Sequence, residues 1–488
     1  MQRVAHTGQN LPLFGVEATR QIEACLQGKL PSHTLMQRAG LAVAQLAMAV
    51  APHAQRIWIA CGPGDNGGDG LEAAIHLHGW GKHVFVTWLG KPDEAPTDAA
   101  RSYRGALSAG VTFCDDAPND AQLCIDALLG IGTQLREPEA TMAACIQHIN
   151  ASHAAVVAVD LPTGLDANTG STTRLHVRAS HTLSLLTLKP GLFTAHGRDA
   201  SGVVWYDDLQ ATHEVLKSGS PNAMLLAQPA PKFRNHASHK GTFGDVAVVG
   251  GAPGMAGAAL LAAMAALHAG AGRVFVGLLD SASLSVNPSQ PELMFRPVES
   301  LNFNAMAVVC GCGGGEAIKT VLEQVLLSSA PLVLDADAIN AIAMNPSLQT
   351  LLTSRSEREA ATVLTPHPLE AARLLACAAA QVQQDRLTAA NQLARRFACT
   401  VVLKGSGTVI AGPNQLTAIN PTGNALLATA GTGDVLAGMV GAKLAAGMPA
   451  FQAACEAVYQ HGQLADSWPL ASNLTASRLS HQPSNQTI

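Results

Sequence analysis

The chain has 488 residues, of which 48% are apolar, 13% charged and 4% aromatic, with a net charge of −5. That apolar share excludes a mainly disordered chain, and the length exceeds what one hydrophobic core usually serves. The mildly acidic balance of 30 basic and 35 acidic residues excludes a general electrostatic attraction to nucleic acid or anionic lipid.

The opening segment lacks the charged-then-apolar order of a signal peptide, so no targeting segment is expected. Apolar strand-like runs that end in glycine-rich turns then alternate with Ala/Leu-rich helical stretches. They cover residues 56–64, 83–90, 123–130, 154–164, 245–251, 273–280, 307–315, 331–340, 362–368 and 400–407. Continuous short apolar runs bounded by Gly predict strands covered on both faces. Their alternation with helices predicts parallel α/β sheets. The rhythm breaks between Asp207 and Gly241, a stretch with three prolines and no glycine loop. A linker over 216–235 is expected there, between an α/β domain over 1–215 and another over 236–488. Roughly the last 15 residues are expected to form a flexible tail.

From Val246 to Gly272 there is no Asp, Glu, Lys or Arg, a window long enough to span a bilayer at about 20 residues. Its internal order is a β-branched run, a Gly250-Gly251-Ala252-Pro253-Gly254 loop and an Ala/Leu-rich helix. That order predicts a buried strand–loop–helix unit rather than a membrane span. The ten cysteines are scattered without a CxxC pair, so reduced thiols in a cytoplasm are expected.

In the first half, CGPGDNGGDG (61–70) stands between a strand and a helix. Glycines let a ligand approach the backbone, and the helix N-terminus offers free N–H groups to phosphate; a plain tight turn is the alternative. Asp126 and Asp160 end two further strands, where ligands of open α/β sheets bind. Asn66, Asp126 and the Thr163 hydroxyl or carbonyl make an all-oxygen set suited to a hard cation. At its apolar strand end, Asp160 suits a general base, or else a cap of the following turn.

GPGDNGGDG, DALLGIG, VDLPTGLDANTG and TLKPGLFTAHGRDASGVV, in this order, resemble the NAD(P)HX epimerase domain, which interconverts the R and S hydrates of NADH and NADPH at C6 of the nicotinamide ring. The resemblance implies a Rossmann-like three-layer fold. It implies hydrate contacts from Asp65, Asn66, Gly67, Gly68 and Asp69, from Gly130, Ile131, Gly132, Thr133, Gln134, Leu135 and Arg136, and from Asp160 as the catalytic acid–base. It also implies potassium at Asn66, Asp126 and Thr163. This chain has Asp65-Asn66 where the family more often has Asn-Asn, and Thr163 where it more often has Ser.

In the second half, Gly431, Thr432 and Gly433 lead into a helix whose first turn holds Asp434 in a charge-poor stretch. Such a helix N-terminus makes an anion hole for a transferring phosphoryl group, and a carboxylate one turn in can take a proton from an attacking hydroxyl. Lys404 opens KGSGT after a strand, suited to nucleotide phosphates. His367 stands between two prolines, fixed for recognition or simply facing solvent. Asp335 and Asp337 can organise metal or phosphate, or cap the next helix.

HKGTFGDVAVVGG, LDADAIN, LTPHPLE, LKGSGTVI and NALLATAGTGDVLAG resemble the ribokinase-like superfamily, and within it the nucleotide-dependent NAD(P)H-hydrate dehydratase. This implies hydrate contacts at Ala258, Gly313, Gly315, His367 and Asp434, with Asp434 catalytic. It implies nucleotide contacts at Lys404, Gly405, Ser406, Gly407, Thr408 and Gly433. The family's Gly-Pro-Gly-Leu-Gly-like loop is here Gly311-Cys312-Gly313-Gly314-Gly315, and Leu369 replaces a more frequent Gly.

The joint expectation is a bifunctional repair enzyme of the two hydrates, using ADP with Mg2+ and potassium, without nucleic-acid or membrane partners, and forming a homo-oligomer. The alternative is a hydroxymethylpyrimidine-type kinase carrying a non-catalytic N-terminal binding module.

Overall fold

A computed structural model describes residues 1–4, 8–132, 135–231, 235–280, 285–469 and 472–481. The chain divides into two compact units between Met224 and Leu225, with Gly8–Asn10 grouped with the second. The stretch expected to be an open linker contains a short strand, Ala223–Leu225. The expected tail holds the helix Ala476–Ser480, and residues 482–488 lie outside the described ones.

In the first unit the elements are α1 (Val16–Gln27), α2 (Thr34–Val50), β1 (Arg56–Cys61), α3 (Asp65–Gly79), β2 (His83–Trp88), α4 (Thr97–Ser108), β3 (Leu123–Ala127), α5 (Ala140–Ala151), β4 (Ala155–Val159), β5 (His181–Leu185) and β6 (Val203–Asp207). Within an eight-stranded sheet they run β6-β5-β4-β3-β1-β2, mutually parallel. Strand alternation serves two layers. Ile57, Ile59 and Cys61 pack against α1 to α4, while Trp58 and Ala60 pack against α5. With both faces covered, the strands are mainly apolar, which is why they read as continuous runs.

The second unit contains β7 (Asp245–Gly250), α6 (Ala256–His268), β8 (Arg273–Leu278), β9 (Ala307–Cys310), α7 (Lys319–Leu327), β10 (Leu332–Leu334), α8 (Ala336–Ala343), β11 (Thr362–Leu364), α9 (Pro368–Leu375), α10 (Arg386–Phe397), β12 (Thr400–Leu403), β13 (Val409–Ala411), β14 (Ala418–Ile419), α11 (Thr432–Ala445) and α12 (Ala450–Asp466). The strand order is β8-β7-β9-β10-β11-β12-β13-β14, parallel up to β12 and antiparallel after it. One face carries α7 to α10. On the other, α11 lies so close that a Cβ at Gly441 would stand 2.4 Å from Val309. The charge-free window is therefore β7, its glycine loop and α6, and no helix among the described residues is long and apolar enough to cross a membrane.

Candidate active sites

In the first unit, the carboxyl ends of β1, β3 and β4 open into a cleft of about 840 Å³. The turn after β1 closes tightly, since a Cβ on Gly62 would fall 1.7 Å from the Leu128 carbonyl oxygen. Asp65, Asn66, Asp69, Gly130, Ile131, Gly132 and Asp160 line the cleft. Gly67 and Gly68 do not. They face the interior, where Cβ atoms would meet the Gly62 carbonyl and the Met36 side chain. Leu135 and Arg136 are exposed and stand apart from the cleft lining, and Thr133 and Gln134 lie outside the described residues.

Asp160 follows β4 with φ +65°, a left-handed conformation that Asp tolerates better than most residues and that clusters at functional sites. It does not cap the following turn through its side chain. Its Oδ1 accepts from the Leu185 N–H at 3.3 Å and from the Lys189 ammonium. Around it, burial raises the pKa of Asp69 well above its ordinary value, with Asp160, Asp65 and Glu23 adding to the effect. Burial likewise raises Glu23 and Asp65.

Asp126, at the end of β3, is fully buried. Its Oδ1 accepts from the Thr163 hydroxyl at 2.7 Å and its Oδ2 from the Thr163 N–H at 2.8 Å. Burial pushes the Asp126 carboxyl up to about 6, opposed by its bonds to Thr163 and Leu128. None of these partners is cationic, and a buried carboxylate without a counter-charge is costly. Beside them, Asn66 Oδ1 would lie 3.1 Å from a Cβ on Gly130, and Asn66 Nδ2 is buried without a hydrogen-bond partner among the described residues. The Asp126 carboxylate without a counter-charge, the Thr163 hydroxyl oxygen and the Asn66 amide oxygen offer an oxygen-only set that fits a hard cation.

In the second unit, the ends of β9, β10, β11 and β12 converge on the N-terminus of α11. Gly431 takes φ +88° as the residue before that helix. Lys404 Nζ reaches Asp335 Oδ1 at 2.7 Å and would stand 3.2 Å from a Cβ on Gly433, beside the helix start. Burial works against the charge on Lys404, but Asp335 and Glu370 outweigh it and raise its pKa. Burial pushes Asp434 up to about 7, with Asp335 adding to the shift and Cys312 and Lys404 opposing it. Neither acid of the 335–337 pair acts as a side-chain cap: Asp335 holds Lys404, and Asp337 Oδ2 accepts from the Gly315 N–H at 2.8 Å.

The Cys312 sulfur and carboxylate oxygens of Asp335 and Asp434 lie within 4.8 Å of one another. The Lys404 ammonium already neutralises Asp335 there, and burial keeps the Cys312 thiol protonated. His367 caps α9: its Nδ1 accepts from the N–H groups of Leu369 and Glu370, and Glu370 Oε2 accepts from the His367 N–H. Burial and Lys404 lower its pKa, so the ring is neutral at pH 7. Gly313 touches Ala258, where a Cβ would approach 2.9 Å. In the Lys404–Thr408 loop, Gly405 and Ser406 are exposed and Gly407 is buried.

Two family models match the chain: the YjeF-related protein N-terminus over residues 32–191, and NAD(P)H-hydrate dehydratase over residues 246–484. The bifunctional NAD(P)H-hydrate repair enzyme of Escherichia coli is 36% identical over 450 residues, covering 90% of this chain and 85% of that protein. The chain belongs to the bifunctional NAD(P)H-hydrate repair enzyme family. Its relative of the same description in Moorella thermoacetica is 35% identical over 481 residues, covering 90% of this chain and 88% of that protein. An ADP-dependent (S)-NAD(P)H-hydrate dehydratase of Neisseria meningitidis is 45% identical over 242 residues, 48% of this chain and 80% of that protein.

Several residues of this family member at the two sites escaped the reading by motif. Lys189 is buried at 1% exposure beside Asp160, and Glu23 enters the cleft from α1. Arg386 donates to the carbonyls of Leu403 and Lys404 at 3.0 and 3.2 Å, bracing the loop that follows β12. The signal available for Lys189 was a single cation within the apolar run LSLLTLKPG.

Proposed function

We propose that the chain repairs hydrated nicotinamide cofactors in two steps: its first unit epimerises R- and S-NAD(P)HX, and its second dehydrates the S form to NAD(P)H with ADP. The observation that carries this reading is Asp434 in the first turn of α11, with a carboxyl at about 7 and the Lys404 ammonium beside the same helix start. A base near neutrality next to a cation and free N–H groups is what phosphoryl transfer to a hydroxyl requires.

In the second unit, Asp434 takes the proton of the C6 hydroxyl as its oxygen attacks the β-phosphorus of ADP. The P–O bond to AMP breaks, and Lys404 with the α11 N-terminus balances the phosphate charge. The C6–O bond then breaks, phosphate departs with the electron pair, and loss of the C5 proton restores the ring double bond. Phosphorylation is needed because hydroxide is a poor leaving group. Mg2+ bound with the nucleotide would neutralise its phosphates.

In the first unit, Asp160 moves the proton during epimerisation at C6. Asn66, Asp126 and Thr163 would hold potassium, which orients the substrate when bound. The alternative of a kinase with a non-catalytic first module leaves the Asp160 pair and this oxygen set without a purpose. All ten cysteines are free thiols, which suits a cytoplasmic enzyme.

Incubating the protein with ADP, Mg2+ and each NADHX epimer, and following NADH absorbance, tests the reading. NADH is expected from S directly and from R after epimerisation; none from either epimer overturns it.

A further inference from the structure

Five carboxyl groups line the cleft of the first unit: Glu23 from α1, Asp65 and Asp69 from α3, Asp98 from α4, and Asp160 after β4. Two cationic side chains line the same cleft, Arg20 and Lys189. Lys189 is the buried one, at 1% exposure. Its ammonium has three donors, and three acceptors surround it: Asp160 Oδ1, Leu185 O at 2.7 Å and Ser184 Oγ at 3.4 Å. The turn that carries it is itself held, with Ser184 Oγ donating to the Thr187 carbonyl at 2.8 Å. Asp160 Oδ1 is thus engaged by Lys189 and by the Leu185 N–H, while its Oδ2 accepts from no group among the described residues and belongs to a residue that lines the cleft.

We infer that Lys189 is the positioning residue of the epimerase site, holding Asp160 by one carboxylate oxygen and leaving its other oxygen to face the substrate. The inference rests on the repair reading above. Physically, a buried ammonium in direct contact with one carboxylate oxygen, joined there by a backbone N–H, fixes the orientation of the carboxylate and leaves its other oxygen available. Lys189 does not reach the substrate in this arrangement, because all three of its donors are used within the protein.

The test is Lys189→Ala in the full chain. Epimerase kcat is expected to fall about 10²-fold, with KM for R-NADHX changed little. Added methylammonium should refill the truncated site and restore kcat, while methanol at the same concentration should not. ADP-dependent dehydration of S-NADHX by the same preparation reports that the chain is folded and should be unchanged. An unchanged epimerase kcat, a loss seen only in KM, or equal rescue by methanol would each overturn the inference. If the wild-type chain itself fails to epimerise, the repair reading fails rather than the role of Lys189.

Discussion

Lys404 and Asp335 lie 69 residues apart, yet their side chains meet at 2.7 Å, where the ends of β12 and β10 open on the second site. The Thr365 hydroxyl donates to the same Asp335 oxygen at 2.7 Å, which fixes the carboxylate from a third strand end. Removing one partner of a fully buried pair costs about 3–5 kcal/mol. Lys404 keeps 19% side-chain exposure, so the low end applies. Asp335→Asn is therefore expected to lower Tm and to raise KM for ADP several-fold, because the ammonium is no longer held beside α11. Calorimetry and ADP titration of the dehydration rate check this.

The dehydration step should depend on pH through Asp434. Burial raises its carboxyl to about 7, so the base is mostly ionised above that pH and protonated below it. The rate is expected to level off above about pH 7 and to fall about tenfold per unit below pH 6. A profile of kcat for S-NADHX that is flat from pH 5.5 to 8 would remove Asp434 from the role of base.

The two sites should be separable by single substitutions. Asp434→Ala is expected to abolish NADH formation from both epimers, while R and S still interconvert. Asp160→Ala should abolish interconversion and leave S turnover intact. Chromatographic separation of the epimers, combined with NADH absorbance, distinguishes the two variants. Loss of S turnover in Asp160→Ala would refute this division of labour.

Potassium dependence should be confined to the first reaction. Exchange of potassium for tetramethylammonium is expected to slow epimerisation at least about 10-fold, given a cation that orients the substrate. Dehydration of the S form should be unaffected. Asn66→Ala should weaken the potassium response, because it removes the amide oxygen that would ligate the cation.

Gly438 shows where close packing limits change. In α11, a Cβ there would sit 2.0 Å from the Ala262 carbonyl oxygen of α6. Gly438→Ala improves helix propensity by about 1 kcal/mol, but overpacking costs about 1–3 kcal/mol. The net expectation is a lower Tm, at roughly 2–4 °C per kcal/mol for a unit of this size, and a displaced helix start that reduces dehydration more than epimerisation. A Tm equal to or above that of the wild type would show that the helices move apart freely.

Much of the fold was legible because both sheets are covered on two faces. AVVC (307–310) is apolar at every position and stops at Gly311, and TVVL (400–403) is apolar after Thr400 and runs into Lys404-Gly405, which marks their carboxyl ends. Less was legible where one residue type serves two purposes. Gly67 and Gly68 belong to the same glycine-rich motif as Asp65 and Asn66, in the first turn of α3, but a glycine required for packing and one required for a ligand look alike in a sequence. His367 was open between recognition and an idle loop position, and its ring turned out to cap α9.

By itself the sequence determined the strand–glycine–helix rhythm, the two-part organisation into α/β halves and the acids that end the strands, because each depends on neighbours within a few residues. The partners of those acids were decided only by tertiary structure. Lys189 reaches Asp160 across 29 residues and Lys404 reaches Asp335 across 69, contacts that exist only once the strand order is set. An acid at a strand end is a local fact, whereas its charge state depends on burial and on whichever cation the fold brings within reach.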